Sequence, residues 1–442
     1  MDLLISPHPL MGIAAAIPSK SVAHRAQILA AFSDGPSWVP RTFANDSEDT
    51  SATWRCLKAL GCSLGHDHEG TYLMPVDCDY LPDHVTLDVG ESGSTLRFLL
   101  PVVAALGCGA TFICHGRLAE RPLSPLDEQL AQHGATVRRS TDAEGAPRLE
   151  LSGKLSSGTF VLPGNVSSQY VSGLLMAAAL MVGATQVVVQ WPIESRGYID
   201  LTIDELERYG VHVREEQRMV DDMPATAFCV DDGSWLVTPG TIHTEGDWSN
   251  AAFWLAAGAI GSEAVVVEGL PAGGRQGDRA IVDVLRTFGA QVDVLQPRED
   301  ALQVMVRRNQ LEGLELDISD IPDLAAPIAA VAAVAKGTTR LTGGARLRLK
   351  ESDRLETIAA AIRALGGQAE ALEDELVIEG VERLSGGMVD TANDHRIAMM
   401  AAICAAYAEG PTTIVGAECV RKSYPAFFMD YRTLGGIVRP IS

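Results

Sequence analysis

At 442 residues the chain is too long for one hydrophobic core, so two domains are expected. Its net charge of −22 argues against non-specific binding to nucleic acid or acidic membranes, and requires any anionic ligand to find a locally basic pocket. The eight cysteines form no Cys-x-x-Cys pair and no regular framework, which points to a reducing cytoplasm. Met1–Ile17 lacks a basic start and is interrupted by Pro7 and Pro9, unlike a signal peptide. The apolar runs are too short to span a bilayer.

In chain order, the first informative stretch is Pro18–Gly35. Lys20, Ser21 and Arg25 come first, then Val22, Ala26, Leu29 and Ala30 at helical spacing, with Gly35 as the expected left-handed stop. A helix starting there directs its unpaired N–H groups and the positive end of its dipole at the basic cluster, a setting that favours an anion. The pattern recurs. Ser92-Gly-Ser-Thr-Leu-Arg97 precedes Phe98–Leu106 and Gly107; Ser167-Ser-Gln169 precedes Tyr170–Val182 and Gly183. Asp247-Trp-Ser-Asn250, Asp323 and Asn393-Asp-His-Arg396 open three further apolar runs, which end near Gly261, Gly337 and Gly410.

A second series alternates with the first, each member an amphipathic helix, a glycine and a short strand. Its glycines are Gly61, Gly134, Gly210, Gly289, Gly366 and Gly435, about 70 to 80 residues apart. Two interleaved series in register indicate a unit repeated six times. The first series is apolar nearly all round and should be buried; the second carries charge on one face and should lie outside. The fold expected is α/β, with six sheet-and-helix units in two sets of three around buried parallel helices. One boundary is expected at Thr238-Pro-Gly-Thr241. The polar helix starts would then share a face, and outer-helix starts add Arg121, Lys350, Arg354 and Lys422 to Lys20, Arg25, Arg97 and Arg396. So many cations beside few carboxylates suit a ligand with several phosphate and carboxylate groups. His66-x-His68 reads as an exposed pair, not as a metal site, and Cys114 as a core cysteine in the β-like run Thr111–Cys114.

Together, Lys20-Ser-x-x-x-Arg25, Gly90-Glu-Ser-Gly-Ser-Thr-Leu-Arg97, Glu120-Arg-Pro122, Ser167-Ser-Gln169, Ile321-Pro-Asp323, Lys350-Glu-Ser-Asp-Arg354, Asp394-His-Arg396 and Lys422-Ser-Tyr-Pro425 resemble the 3-phosphoshikimate 1-carboxyvinyltransferase (EPSP synthase) family of enolpyruvyl transferases. The motifs run in order over nearly the whole chain. The resemblance implies two domains, 1–18 plus 241–442 and 19–240, each of three βαβαββ repeats, with the chain crossing between them twice. It implies transfer of the enolpyruvyl group of phosphoenolpyruvate to the 5-hydroxyl of shikimate 3-phosphate, with release of phosphate, on the way to chorismate and the aromatic amino acids.

By the same resemblance, Lys20, Ser21, Arg25, Ser167, Ser168, Gln169, Ser195, Tyr198, Asp323, Arg346 and Lys350 would hold shikimate 3-phosphate. Lys20, Gly93, Arg121, Gln169, Arg354, His395, Arg396 and Lys422 would hold phosphoenolpyruvate. Asp323 would be the base, Glu351 the acid that protonates the methylene carbon, and Lys20 a further catalytic group. The cations around Glu351 disfavour its protonated form, so substrate charge and exclusion of water would have to restore it. The chemistry calls for no metal or organic cofactor, because the enolpyruvyl group arrives activated. A cytoplasmic monomer is expected.

Three positions depart from the commonest family pattern. Pro18-Ser-Lys lacks a glycine, Glu91 stands where asparagine is frequent, and Arg346 stands where an asparagine often contacts shikimate. Glu91 and Arg346 either pair or face solvent. The sister transferase acting on UDP-N-acetylglucosamine is the nearest alternative, but its first motif has Lys-Asn and its mobile loop usually carries a reactive cysteine. A non-catalytic binding relative is the other; it would lack Lys20, Asp323, Glu351 or Lys422, and all four are present.

Overall fold

The computed structural model describes residues 1–441. The chain forms two compact units: a central one, Pro18–Thr244, and a terminal one built from Met1–Ile17 together with Glu245–Ser442. Each has its own apolar core.

The central unit contains helices α1 (Lys20–Ala31), α2 (Glu48–Ala59), α3 (Gly93–Leu106), α4 (Leu126–Gln132), α5 (Ser168–Ala178) and α6 (Arg196–Arg208). The terminal unit contains α7 (Trp248–Ile260), α8 (Ile281–Phe288), α9 (Ala325–Ala332), α10 (Arg354–Ala364), α11 (His395–Ala406) and α12 (Phe427–Thr433). Odd-numbered helices are the apolar series; every residue of α9 and α11 is buried, and every residue of α7 except Ser249. The even-numbered helices bury one face, as α8 does with Ile281, Val282, Val284, Leu285 and Phe288.

Each pair of helices is joined to one small sheet. In the second repeat His84–Gly90 pairs parallel with Gly109–Cys114. That strand pairs antiparallel with Pro147–Gly153, which takes Ala135–Thr141 on its far side. The strand order first, second, fourth, third recurs in five sheets. The first repeat differs, since its sheet has three strands. Its leading position is filled by Gly240–Ile242, where Trp38 N donates to Gly240 O (2.7 Å) and Ile242 N donates to Trp38 O (2.7 Å), parallel to Ser37–Pro40. In the terminal unit the N-terminal segment supplies two strands. Asp2–Ser6 takes the fourth position of the last sheet, and Gly12–Ala15 leads the sheet of α7 and α8.

Helix ends follow the sequence in part. All six outer-series glycines adopt positive φ, from +80° at Gly210 to +111° at Gly61. The inner series does so less regularly: Gly107 is a left-handed cap at φ +79°, whereas Gly261 is extended. Gly35 does not stop α1. That helix ends at Ala31, where the Ala30 carbonyl accepts from both Ser33 Oγ (2.9 Å) and Ser33 N (3.3 Å).

The packing of α3 on α5 turns on one proline and one glycine. Pro101 has no N–H to offer the Arg97 carbonyl one turn earlier. Gly173 lies over that carbonyl, and a Cβ on it would stand 2.4 Å from Arg97 O and 2.9 Å from Pro101 Cγ. The two helices therefore approach closely where the ladder is open. Gln169 at the start of α5 bonds Ser94 at the start of α3, and one turn on Gly173 meets Arg97 and Pro101, so these two inner helices begin at the same level and run parallel.

Candidate active site

In the central unit the site residues gather where α1, α3 and α5 begin. Ser92 caps α3 by accepting from Thr95 N, and Ser167 caps α5 by accepting from Gln169 N at 3.3 Å. Gln169 then reaches sideways: its Oε1 accepts from Arg97 Nη1 (3.2 Å) and its Nε2 donates to Ser94 Oγ (2.9 Å). Gly93 sits between two guanidinium groups, and a Cβ there would lie 2.6 Å from Arg97 Nη1 and 2.9 Å from Arg121 Nη1. Gly93, Arg97, Arg121 and Gln169 thus form one cluster, with two guanidinium groups, at the positive end of a 14-residue helix, a setting suited to an anion.

Lys20 opens α1 and donates to Asp49 Oδ2 at 2.7 Å. Asp49 belongs to the first turn of α2, and nothing in the sequence linked it to Lys20. Arg25 is 2% exposed, and its donors serve the protein frame. Nε donates to Thr202 Oγ1 (2.7 Å), Nη1 to Ser21 O (2.6 Å), and Nη2 to Tyr198 O (2.8 Å) and Ser172 Oγ (3.2 Å). Burial lowers its pKa to about 10, against the opposing pull of Tyr198 and Glu205. Its bond to Tyr198 O helps hold the head of α6, where Ser195 is left-handed (φ +56°, ψ +39°) and 3% exposed. Such a conformation costs a non-glycine residue about 1–2 kcal/mol and persists only where the surroundings impose it. Ser168, at the first position of α5, is buried beside Ser167.

In the terminal unit the centre is Arg354, 1% exposed at the first position of α10. It holds three carboxylates: Nε donates to Asp394 Oδ2 (2.9 Å), Nη1 to Asp323 Oδ1 (3.1 Å) and Nη2 to Glu351 Oε2 (2.5 Å). Burial opposes its charge, but Asp394, Glu351 and Asp323 outweigh it and raise the pKa above the ordinary arginine value. Arg396 adds two contacts to Asp323, through Oδ2 (3.2 Å) and the main-chain carbonyl (2.9 Å), and Lys350 Nζ lies 3.9 Å from Oδ1. Burial pushes the Asp323 carboxyl up, but Arg396, Lys350 and Arg354 together hold it well below the usual carboxylate range.

The expectation of many cations beside few carboxylates is therefore corrected. Arg354 alone binds three, because a buried guanidinium cannot stay unpaired at tolerable cost. Asp394 is a site residue that the motifs do not assign, although its place just before His395 is the signal of an N-cap. It accepts from Arg396 N (3.0 Å) and from Ser352 Oγ (3.0 Å). Asp323 lies in the short turn Pro322–Leu324 that feeds α9. Lys422 donates to Asn393 O at 2.7 Å, and Ala392 and Asn393 both take positive φ just before α11. His395 is 2% exposed at the first position of α11.

The departures from the family pattern are also placed. The Glu91 carboxylate lies against Gly116, whose added Cβ would meet it at 2.7 Å, and Arg346 Nη2 donates to Ser319 O at 2.6 Å. Cys114 ends the strand Gly109–Cys114, is 4% exposed, and burial pushes its thiol up to about 11, far from a reactive thiolate. His66 bonds Thr71 Oγ1 across its hairpin at 2.9 Å.

A sequence profile for EPSP synthase (3-phosphoshikimate 1-carboxyvinyltransferase) matches residues 5–430. The chain is 38% identical over 432 residues to a 3-phosphoshikimate 1-carboxyvinyltransferase of Clostridium kluyveri, covering 98% of this chain and 97% of that one. It is 37% identical to the protein of the same name in Halobacterium salinarum, covering 98% and 99%. Among solved structures, EPSP synthase from Acinetobacter baumannii superposes with a TM-score of 0.78 at 26% identity over 99% of this chain and all of that one. The enolpyruvyl transferase NikO from Streptomyces tendae shares the fold, with a TM-score of 0.73 at 18% identity over 99% of this chain and 98% of that one. With the profile spanning almost the whole chain and relatives this similar over their full length, the chain belongs to the EPSP synthase family of enolpyruvyl transferases.

Proposed function

We propose that the protein transfers the enolpyruvyl group of phosphoenolpyruvate to the 5-hydroxyl of shikimate 3-phosphate, yielding 5-enolpyruvylshikimate 3-phosphate and phosphate. The 5-oxygen loses its proton and bonds to C2 of phosphoenolpyruvate, while C3 gains a proton to become a methyl group. C3 then gives up a proton as the C2–O bond to phosphate breaks, restoring the double bond.

The observation that carries the reading is the tie of Asp323 to Arg354, Arg396 and Lys350. In this arrangement Asp323 is ionised, as a base must be, but its basicity is suppressed by its partners. Phosphate and carboxylate groups of the substrates compete for the same cations. Each hydrogen bond they draw away returns basicity to Asp323, so the base becomes competent when substrate arrives. Glu351, 2.5 Å from Arg354, is the acid toward C3 in the same scheme, and Lys20, oriented by Asp49, assists on the phosphate side.

Gly93, Arg121, Gln169 and Lys20 in the central unit, with Arg354, His395, Arg396 and Lys422 in the terminal unit, would bind phosphoenolpyruvate. Ser21, Arg25, Ser167, Ser168, Gln169, Ser195 and Tyr198, with Asp323, Arg346 and Lys350, would bind shikimate 3-phosphate. The reading includes a monomer and a reducing cytoplasm; eight cysteines with no Cys-x-x-Cys pair and no regular framework suit that compartment. The family match favours it over the sister reaction on UDP-N-acetylglucosamine. The test is phosphate release across a panel of acceptors. Release is expected only with phosphoenolpyruvate and shikimate 3-phosphate together, and release with UDP-N-acetylglucosamine but none with shikimate 3-phosphate would refute the assignment.

A further inference from the structure

Asp278 has no place in the chemistry above, yet it is 2% exposed and carries a carboxyl group. It belongs to the turn Gly277–Ala280 between a strand and α8, and three features bring it to the site of Asp323. The side chain of Gln276 pins the turn to the start of α7: Oε1 accepts from Trp248 N (3.0 Å), and Nε2 donates to Glu245 Oε1 (2.7 Å) and Gly246 O (2.8 Å). Ser249 Oγ, in the first turn of α7, makes a very short hydrogen bond to Asp278 Oδ2. Gly277 packs on the segment that leads into Asp323, since a Cβ on it would meet Asp320 O at 3.7 Å and Ile321 Cγ2 at 4.0 Å.

The charged groups facing Asp278 come from each element around it. Asp247 caps α7, Asp323 lies in the turn before α9, and Arg396 in the first turn of α11; Ser249 adds an uncharged hydroxyl from the start of α7. Next to it in sequence, Arg279 turns away and donates to Ala272 O.

We propose that Asp278 is a positioning residue for the transferase reaction: as a neutral buried acid it leaves the charge of Arg396 to the anionic substrate, and as a carboxylate it competes for that charge. The inference rests on the functional reading above. Its physical basis is the position of the group. Burial and then the Asp323 carboxylate push Asp278 up to about 7, while Arg396 and the Ser249 hydrogen bond pull the other way. The acid form is therefore present in slightly acid solution and is lost as the pH passes neutrality. Anion binding beside Arg396 takes up a proton at Asp278, and affinity for the anion falls as that proton is lost.

The experiment measures KM for phosphoenolpyruvate and kcat from about pH 6 to 9, at saturating shikimate 3-phosphate, for the parent protein, Asp278→Asn and Ser249→Ala. Ionisation of the substrate's own phosphate is common to all three and cancels in the comparison. In the parent, KM is expected to rise several-fold above an inflection near neutrality, with kcat changing less. Asp278→Asn mimics the neutral acid and should remove that rise. Ser249→Ala removes a hydrogen bond that favours the carboxylate, so it should move the inflection to higher pH and decides the question if Asp278→Asn does not fold. A purely structural role would scale KM or kcat equally at every pH. Superimposable pH profiles in the parent and the folded variants would overturn the inference and leave the functional reading intact. Absence of turnover by the parent at every pH would overturn the functional reading, and the inference with it.

Discussion

Arg396 grips Asp323 at two points, with Nη2 3.2 Å from the carboxylate Oδ2 and Nη1 2.9 Å from the main-chain carbonyl of the same residue. The double contact fixes both the position and the charge of the proposed base. It also places the cation where a substrate anion must compete with a carboxylate.

Asp323→Asn keeps the shape and the main-chain contact but removes the base. General acid–base steps contribute about 10²–10⁴-fold, so kcat should fall within that range. Titration calorimetry should show both substrates still binding. Near-parental turnover would show that the proton leaves by another route.

Glu351→Gln should slow protonation of the methylene carbon, because an amide fills the same volume and cannot give a proton to carbon. Run in deuterated water, the variant should put label into the methylene group more slowly than the parent. Full turnover with unchanged label entry would show that Glu351 is not the acid.

Gly93→Ala should act mainly on phosphoenolpyruvate. The new methyl group would stand 2.6 Å from Arg97 Nη1 and 2.9 Å from Arg121 Nη1, so both flexible guanidinium groups must move. KM for phosphoenolpyruvate should rise about tenfold or more, equivalent to about 1.4 kcal/mol, with little change in KM for shikimate 3-phosphate. Parallel changes in both constants would count against a phosphoenolpyruvate-specific role.

Gly173→Ala tests the fold without touching a proposed ligand contact. Its Cβ would meet the Arg97 carbonyl at 2.4 Å, and that oxygen is part of a helix backbone that cannot yield cheaply. Overpacking of this kind costs about 1–3 kcal/mol. Denaturant unfolding should show that loss, and an unchanged midpoint would refute the close-approach account of α3 and α5.

The pH dependence of stability carries its own sign. Asp278 has a folded pKa of about 7, above the value of about 3.9 for an unfolded aspartate. The native state therefore binds more protons between those values, and this group lowers stability as pH rises through that window. Asp278→Asn should flatten the decline by an amount on the order of a few kcal/mol. Unfolding curves at pH 5 and pH 8 measure it, and equal slopes in parent and variant would contradict it.

The repeat count, the alternation of buried and half-buried helices, the chemical type of the ligands and the family are all legible in the amino-acid sequence. Those properties are written in local patterns: apolar periodicity, a capping side chain at the starts of α2, α3, α5, α7, α10 and α11, and a glycine after each outer helix. Gly61, Gly134, Gly210, Gly289, Gly366 and Gly435 all adopt the positive φ that such an ending requires. Even here some detail escaped, since α1 stops at a Ser33 side-chain bond four residues short of where Gly35 suggested.

Which residues meet is a property of the folded chain. Asp49 holds Lys20 across 29 residues, Arg354 collects Asp323 and Asp394 from 31 and 40 residues away, and Gly240–Ile242 completes a sheet begun at Ser37. No local pattern encodes these partners, because the energy of a buried ion pair depends on distance in space and on loss of water, not on distance along the chain. The same holds for Asp278. In the sequence it is one more acid before an outer helix, and it becomes notable only because folding removes its water and places it where the charges of Asp323 and Arg396 act on it.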